Sequence, residues 1–137
     1  MRTAVDTNVL SALWSGEPDA SRVAAQLAEA RGQGGLVVCA PVFAELLAHP
    51  SASPRFVDDF LMETGIRVDF DMGETVWRDA AKGFAAYAQR RRRSGAGSPK
   101  RLLVDFIIAA HAAANADRLM TLDAARYSRD FPQLRIV

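Results

Sequence analysis

The sequence predicts an α/β fold built on a central parallel sheet, and two observations carry that prediction. Short apolar runs that read as strands alternate with longer stretches of helical periodicity along the whole chain. One of those runs, Leu36-Val37-Val38-Cys39, is apolar without interruption, as in a strand covered on both faces. The 137 residues suffice for one domain with a proper core, a Rossmann-like sheet of about five strands flanked by helices. No repeat, low-complexity tract or second domain interrupts the pattern.

The elements follow in order. A first strand covers about residues 2–5. Val9, Leu10, Leu13 and Trp14 then recur at helical spacing until Gly16. Pro18 and Asp19 open a second helix with Val23, Leu27 and Ala30 on one face, closed by Gly32, Gly34 and Gly35. The strand at 36–39 leads into Pro41, which suits the first turn of a helix over 42–49. After a turn rich in proline and serine at 50–54, Phe56, Val57, Phe60 and Leu61 define a fourth helix, stopped by Gly65. Ile66-Arg67-Val68-Asp69-Phe70 alternates, as a strand nearer an edge does. Val76, Trp77, Ala80, Ala81, Phe84, Tyr87 and Ala88 give a long amphipathic helix ending in Arg90, Arg91, Arg92 and Arg93. Ser98 and Pro99 read as cap and first residue of the next helix, which runs to about residue 115 and is apolar nearly all round, hence interior. A strand at 119–122, a short helix near 124–129 and a last short strand at 134–137 complete the chain.

Composition narrows the function classes. The formal net charge is +1, so no global field draws the protein to nucleic acid or to an anionic membrane, and any such attraction must be local. The single cysteine, Cys39, permits no internal disulfide and reads as a small buried hydrophobe. No apolar segment resembles a signal peptide, and the longest apolar run, 102–114, is broken by Asp105 and His111 and is too short for a bilayer, which needs about 20 residues. A cytoplasmic location without membrane contact is the expectation.

The chemistry rests on acids. Asp6 follows the first strand directly, where it either caps the next helix or points into the crevice at which open α/β sheets bind ligands. Asp105 lies among Leu103, Val104, Phe106, Ile107 and Ile108. A carboxylate in such surroundings needs a partner, either an arginine or a metal ion. In right-handed crossover units, helix N-termini lie beside strand C-termini. That places Asp6, Glu45, Asp105 and Asp123 on one sheet edge, provided the first strand lies between the Val38 and Leu122 strands. Four carboxylates held together raise one another's pKa unless cations neutralise them, and an oxygen-only set selects Mg²⁺ or Mn²⁺, one or two per site. Metal-assisted phosphodiester hydrolysis is the implied reaction. Thr7, Asn8 and Thr121 are positioned to orient carboxylates or water, with capping and turn formation as their plainer role. Asp69 and the remaining acids read as solvated. His49 and His111 are isolated and poor ligands for such a cluster.

Val5-Asp6-Thr7-Asn8-Val9-Leu10, Val42-Phe43-Ala44-Glu45-Leu46, the stretch from Pro99 to Ala112 around Asp105, and Leu119-Met120-Thr121-Leu122-Asp123 together resemble the PIN-domain family. Within it they resemble the VapC-type toxins of bacterial toxin–antitoxin pairs. The likeness covers essentially the whole chain. It implies a single PIN domain over 1–137 and a Mg²⁺- or Mn²⁺-dependent endoribonuclease that inhibits translation. It further implies a cognate VapB-type antitoxin, a homodimer, and metal held by Asp6, Glu45, Asp105 and Asp123. Such an antitoxin blocks the pocket with a basic side chain and lays an apolar segment in a nearby groove, for which Leu13, Trp14, Leu46 and Phe60 are candidates. Taken singly, each of those four reads more simply as ordinary core. Arg90, Arg91, Arg92, Arg93, Lys100 and Arg101 are candidates for holding RNA phosphates; as a charge run at a helix end they also satisfy the helix dipole.

Two other classes compete. A haloacid-dehalogenase-like phosphatase wants a second aspartate where Asn8 stands, and both it and a receiver domain want a late lysine that Lys100 does not supply. A PIN-like module that binds RNA or protein without cutting would have to bear the cost of uncompensated buried carboxylates. A DNA nuclease would share the whole site.

Overall fold

A computed structural model of the chain describes residues 1–97 and 102–137. Its strands are β1 (Thr3–Val5), β2 (Leu36–Cys39), β3 (Ile66–Asp69) and β4 (Arg118–Met120). Around them lie α1 (Thr7–Trp14), α2 (Ala20–Gln33), α3 (Ala40–Leu46), α4 (Pro54–Thr64), α5 (Gly73–Arg93), α6 (Leu103–Asn115) and α7 (Ala124–Ser128). The strands form one sheet in the order β3-β2-β1-β4, and every pairing is parallel. β1 therefore lies between β2 and β4, so the chain leaves it in one direction and returns on its other side. This is the topological switch point at which α/β sheets open a crevice.

The sheet is one strand narrower than the sequence predicts. Residues 134–137 make an isolated bridge, Leu119 to Ile136, with Leu119 N–H donating to the Arg135 carbonyl at 2.8 Å. β4 is only three residues long, so its outer edge offers a fifth segment little to pair with. The helix expected over 42–49 ends at Leu46. Beyond it, Ala48 N–H reaches the Glu45 carbonyl and His49 N–H the Leu46 carbonyl, tightening the chain into turns. Pro50 disfavours helical backbone at residue 49, which explains the early stop. The cap and first residue expected at Ser98 and Pro99 lie outside the described residues; α6 is described from Leu103.

β1, β2 and β4 are buried at every residue, as strands covered on both faces must be. α6 is the interior helix that its all-round apolarity predicts: Phe106 to Ala112 are all buried. Phe106 anchors it, with its ring centroid 5.4 Å from Phe84, 5.6 Å from Tyr87 and 5.9 Å from Phe131. Gly83 on α5 permits the close approach, since a Cβ there would sit 3.2 Å from the Phe106 ring. Asp69 is not a solvated acid. It is largely buried, pairs with Arg67 at 3.2 Å, and meets Nε2 of fully buried His111 at 2.8 Å. The interior position of α6 brings that histidine beneath the end of β3. Among the described residues, no helix is long and apolar enough to cross a membrane.

Candidate active site

Asp6 stands where β1 becomes α1. Its backbone N–H still belongs to the sheet, donating to the Met120 carbonyl at 2.9 Å, while its carbonyl accepts from Val9 N–H. Its side chain does not cap α1. Instead Oδ2 accepts two hydroxyl hydrogens, from Thr121 at 2.9 Å and from Tyr127 at 2.7 Å. Among the described residues no donor reaches Oδ1, and the residue is only 3% exposed. The Asp6 carboxylate is thus held by hydroxyls and not by a helix N–H, and the capping reading of Asp6 fails.

Asn8 locks the same corner. Its Nδ2 donates to Thr121 Oγ1 at 3.2 Å and its Oδ1 accepts from Leu122 N–H at 3.1 Å, so α1 is tied to the segment after β4. Thr121 Oγ1 also accepts from Asp123 N–H at 3.1 Å. Thr7 holds the next acid: its hydroxyl donates to Glu45 Oε1 at 2.7 Å. Glu45 is exposed and borders a cleft of about 360 Å³ with Thr7, Ser11 and His49. Asp123 does cap α7, accepting from Arg126 N–H at 3.3 Å. Asp105 is buried in the first turn of α6.

Asp6 shares one electrostatic neighbourhood with Glu45 and another with Asp105 and Asp123. Burial pushes the Cys39 thiol up to about 11, and the charges of Asp6 and Glu45 add to that rise. Asp105, Asp123 and Asp6 all act on the Arg126 guanidinium, outweighing the opposing effect of its burial. Burial also raises the Tyr127 phenol, reinforced by the charge of Asp6 and by the hydrogen bond to it. The phenol therefore stays protonated and serves Asp6 as a fixed donor. Arg126 bridges two of the acids, with Nη1 at 3.5 Å from Asp105 Oδ1 and Nε at 3.2 Å from Asp123 Oδ2. Among the described residues, no three acid, imidazole or thiol groups are gathered closely enough to hold a metal ion as they stand. These carboxylates offer oxygen donors only, the kind that suit a hard divalent cation, and Arg126 spans two of them.

The basic candidates disperse. Arg90 pairs with Asp130, and Arg91 donates to the Ala96 carbonyl at 2.7 Å. Arg92 and Arg93 are exposed, and Lys100 and Arg101 lie outside the described residues. Tyr87, Arg90, Arg91, Ser94 and Arg129 line a cleft of about 200 Å³. Of the groove candidates, Leu46 is buried in the core, whereas Leu13, Trp14 and Phe60 are partly exposed. Leu13 and Phe60 line an apolar cavity of about 210 Å³ with Leu27, Leu36 and Ile66. Trp14 packs edge-on against Phe56, Phe60 and His49, and its buried indole N–H has no acceptor among the described residues.

Comparison with known families decides the relationship, because a PIN domain family model matches residues 3–131. The chain belongs to the PIN-domain family. This PIN domain also shares its fold with solved structures. Over 100% of this chain and 97% of the other, it matches VapBC-1 from nontypeable Haemophilus influenzae with 23% identity and a TM-score of 0.67. FitAcB from Neisseria gonorrhoeae matches over 98% and 95%, with 20% identity and a TM-score of 0.65. VapBC2 from Rickettsia felis, whose structure includes a DNA fragment from its promoter, matches over 100% and 98%, with 19% identity and a TM-score of 0.60. No curated protein matches the sequence.

Two residues of this PIN domain's site escape sequence reasoning, Tyr127 and Arg126. Both sit on a five-residue helix, too short for periodicity to show which side faces inward. The only available signal is the spacing of Arg126 three residues after Asp123, which suits a helical ion pair. Tyr127 is fully buried with its hydroxyl on a carboxylate. Tyr127→Phe is expected to lower stability by about 1–3 kcal/mol, the cost of leaving a buried charged acceptor short of a donor. Urea unfolding of the two proteins measures it; equal midpoints would show that Asp6 does not depend on this phenol.

Proposed function

We propose that this PIN domain is a Mg²⁺- or Mn²⁺-dependent endoribonuclease, the VapC-type toxin of a toxin–antitoxin pair that arrests translation. The observation carrying this reading is Asp6: buried at the switch point of the sheet and held by two hydroxyls through Oδ2. Asp6, Glu45, Asp105 and Asp123 are the residues that would hold one or two divalent ions. Such an ion, when bound, lowers the pKa of a water and neutralises charge at the phosphodiester.

The chain's own groups do the rest. Thr121 and Tyr127 fix the direction of Asp6 Oδ1, and Asn8 holds Thr121 in place. The Thr7 hydroxyl occupies Glu45 Oε1, leaving Oε2 as the oxygen able to take the proton of an attacking water. That water's oxygen bonds to phosphorus as the ester P–O bond breaks, and the departing oxygen takes a proton from solvent to leave as a hydroxyl. Arg92, Arg93 and Arg129 are exposed cations that RNA phosphates would meet near Tyr87, with Arg91, Lys100 and Arg101 as further candidates from the sequence.

The toxin assignment draws on the family and on the shared fold of VapBC-1, VapBC2 and FitAcB. In this reading a VapB-type antitoxin lays an apolar segment along Leu13, Trp14 and Phe60, the toxin is a homodimer, and it works in the cytoplasm on RNA. The test is purified protein on defined RNA and DNA with EDTA or Mn²⁺. RNA cleavage in Mn²⁺ and none in EDTA is the expected result. RNA surviving in Mn²⁺ would overturn the nuclease reading, and equal cutting of DNA would overturn the substrate.

A further inference from the structure

We infer that Arg126 is the acid cluster's own cation, and that its guanidinium and a divalent ion exclude each other from the space between Asp105 and Asp123. This rests on the metal-dependent reading above. The guanidinium bridges the two acids through different nitrogens, 3.5 Å from Asp105 Oδ1 and 3.2 Å from Asp123 Oδ2. These acids come from α6 and from the start of α7, so Arg126 closes a gap between two elements. Among the described residues, the side-chain donors to Asp6 are neutral hydroxyls.

Charge accounting explains why a closing cation is needed. A cation between Asp105 and Asp123 offsets the repulsion that two carboxylates bridged at these distances would otherwise feel. A divalent ion brings twice the charge and coordinates the oxygens directly, which a guanidinium cannot do. Two cations in one gap repel, so ion entry requires Arg126 to leave. It is able to leave because its side chain is 40% exposed and flexible along its stem. Asp123 has two duties, capping α7 through Arg126 N–H and pairing with the same residue's Nε. When Asp123 turns to an ion, α7 loses that cap. The arginine thus keeps the protein stable without metal and sets a threshold for its binding, since only the fraction with Arg126 displaced is competent.

Calorimetric Mn²⁺ titration without RNA, on wild type, Arg126→Lys and Arg126→Gln, tests this. Arg126→Gln is expected to bind Mn²⁺ about threefold to tenfold more tightly than wild type, with Arg126→Lys between them. It is also expected to melt lower than wild type in EDTA and to gain more from Mn²⁺. A pair that served structure alone would leave Mn²⁺ affinity unchanged, and that result, or weaker binding, overturns the exclusion while leaving the nuclease reading standing. Absence of Mn²⁺ binding in all three proteins overturns both. Wild type gives an independent readout if the variants fold poorly. Phenylglyoxal modification of Arg126, located by peptide mass spectrometry, should be severalfold faster in Mg²⁺ than in EDTA, and equal rates refute the proposal.

Discussion

Asp6→Asn is expected to lower metal-dependent RNA cleavage by more than a hundredfold while the protein stays folded. Losing a group that merely supports a metal ligand costs about 10–100-fold, and losing the ligand's own charge should cost more. The substitution is gentle structurally. The amide oxygen can still accept from Thr121 and Tyr127, so the corner between β1, α1 and α7 keeps its hydrogen bonds. What changes is the Oδ1 position, where a carboxylate oxygen becomes an amide group that binds a cation poorly. Removing a buried negative charge from beside other carboxylates also relieves repulsion. The variant's melting temperature in EDTA should therefore equal or exceed that of wild type, while its response to Mn²⁺ shrinks. Parallel melting curves and a cleavage time course read both effects. A variant that cuts RNA normally would show that Asp6 is a structural acid.

The largest effect on stability is expected at Phe106. Phe106→Ala should destabilise the fold by about 3–5 kcal/mol, the usual cost of deleting a fully buried aromatic ring. Total stabilities of about 5–15 kcal/mol make that a large share. Phe106 is completely buried, and its ring meets Phe84, Tyr87 and Phe131 at once, tying α6 to α5 and to the segment after α7. The site feels the loss because Asp105 is the preceding residue. A variant that still folds should lose cleavage beyond what its folded fraction explains, since Asp105 is then less firmly held. Denaturant unfolding gives the first quantity and activity per folded molecule the second. A loss below 1 kcal/mol would mean that the ring cluster does not hold α6 in place.

The fold was legible in the sequence because its signals are redundant. The unbroken apolar run of β2, the all-round apolarity of α6 and the cap and proline signals each specify an element alone. Alternation of strand and helix then specifies the parallel sheet. The position of β1 between β2 and β4 was only a condition for the acids to meet, and the strand order satisfies it. Less legible was what depends on partners far along the chain. Asp69 looks like an ordinary polar residue of an alternating strand, beside Arg67 on the same strand, and its contact with buried His111 joins residues 42 positions apart. Tyr127 and Arg126 lie in a helix of five residues, where no period can separate an inward residue from an outward one. The last strand failed because apolar composition at 134–137 does not reveal how short its neighbour is. Asp105 was recognisable as an acid needing a partner, but a sequence cannot choose between metal and arginine when the arginine arrives from 21 residues away.

Asp6, Glu45, Asp105 and Asp123 are proposed to surround divalent metal. Crystals soaked in Mn²⁺ test it by anomalous diffraction at the manganese edge. The expected result is a peak at roughly 2.0–2.2 Å from Asp6 Oδ1, the range for a small hard divalent ion on oxygen, with Arg126 withdrawn from Asp105 and Asp123. No peak at saturating Mn²⁺, with Arg126 still bridging the two acids, would contradict it.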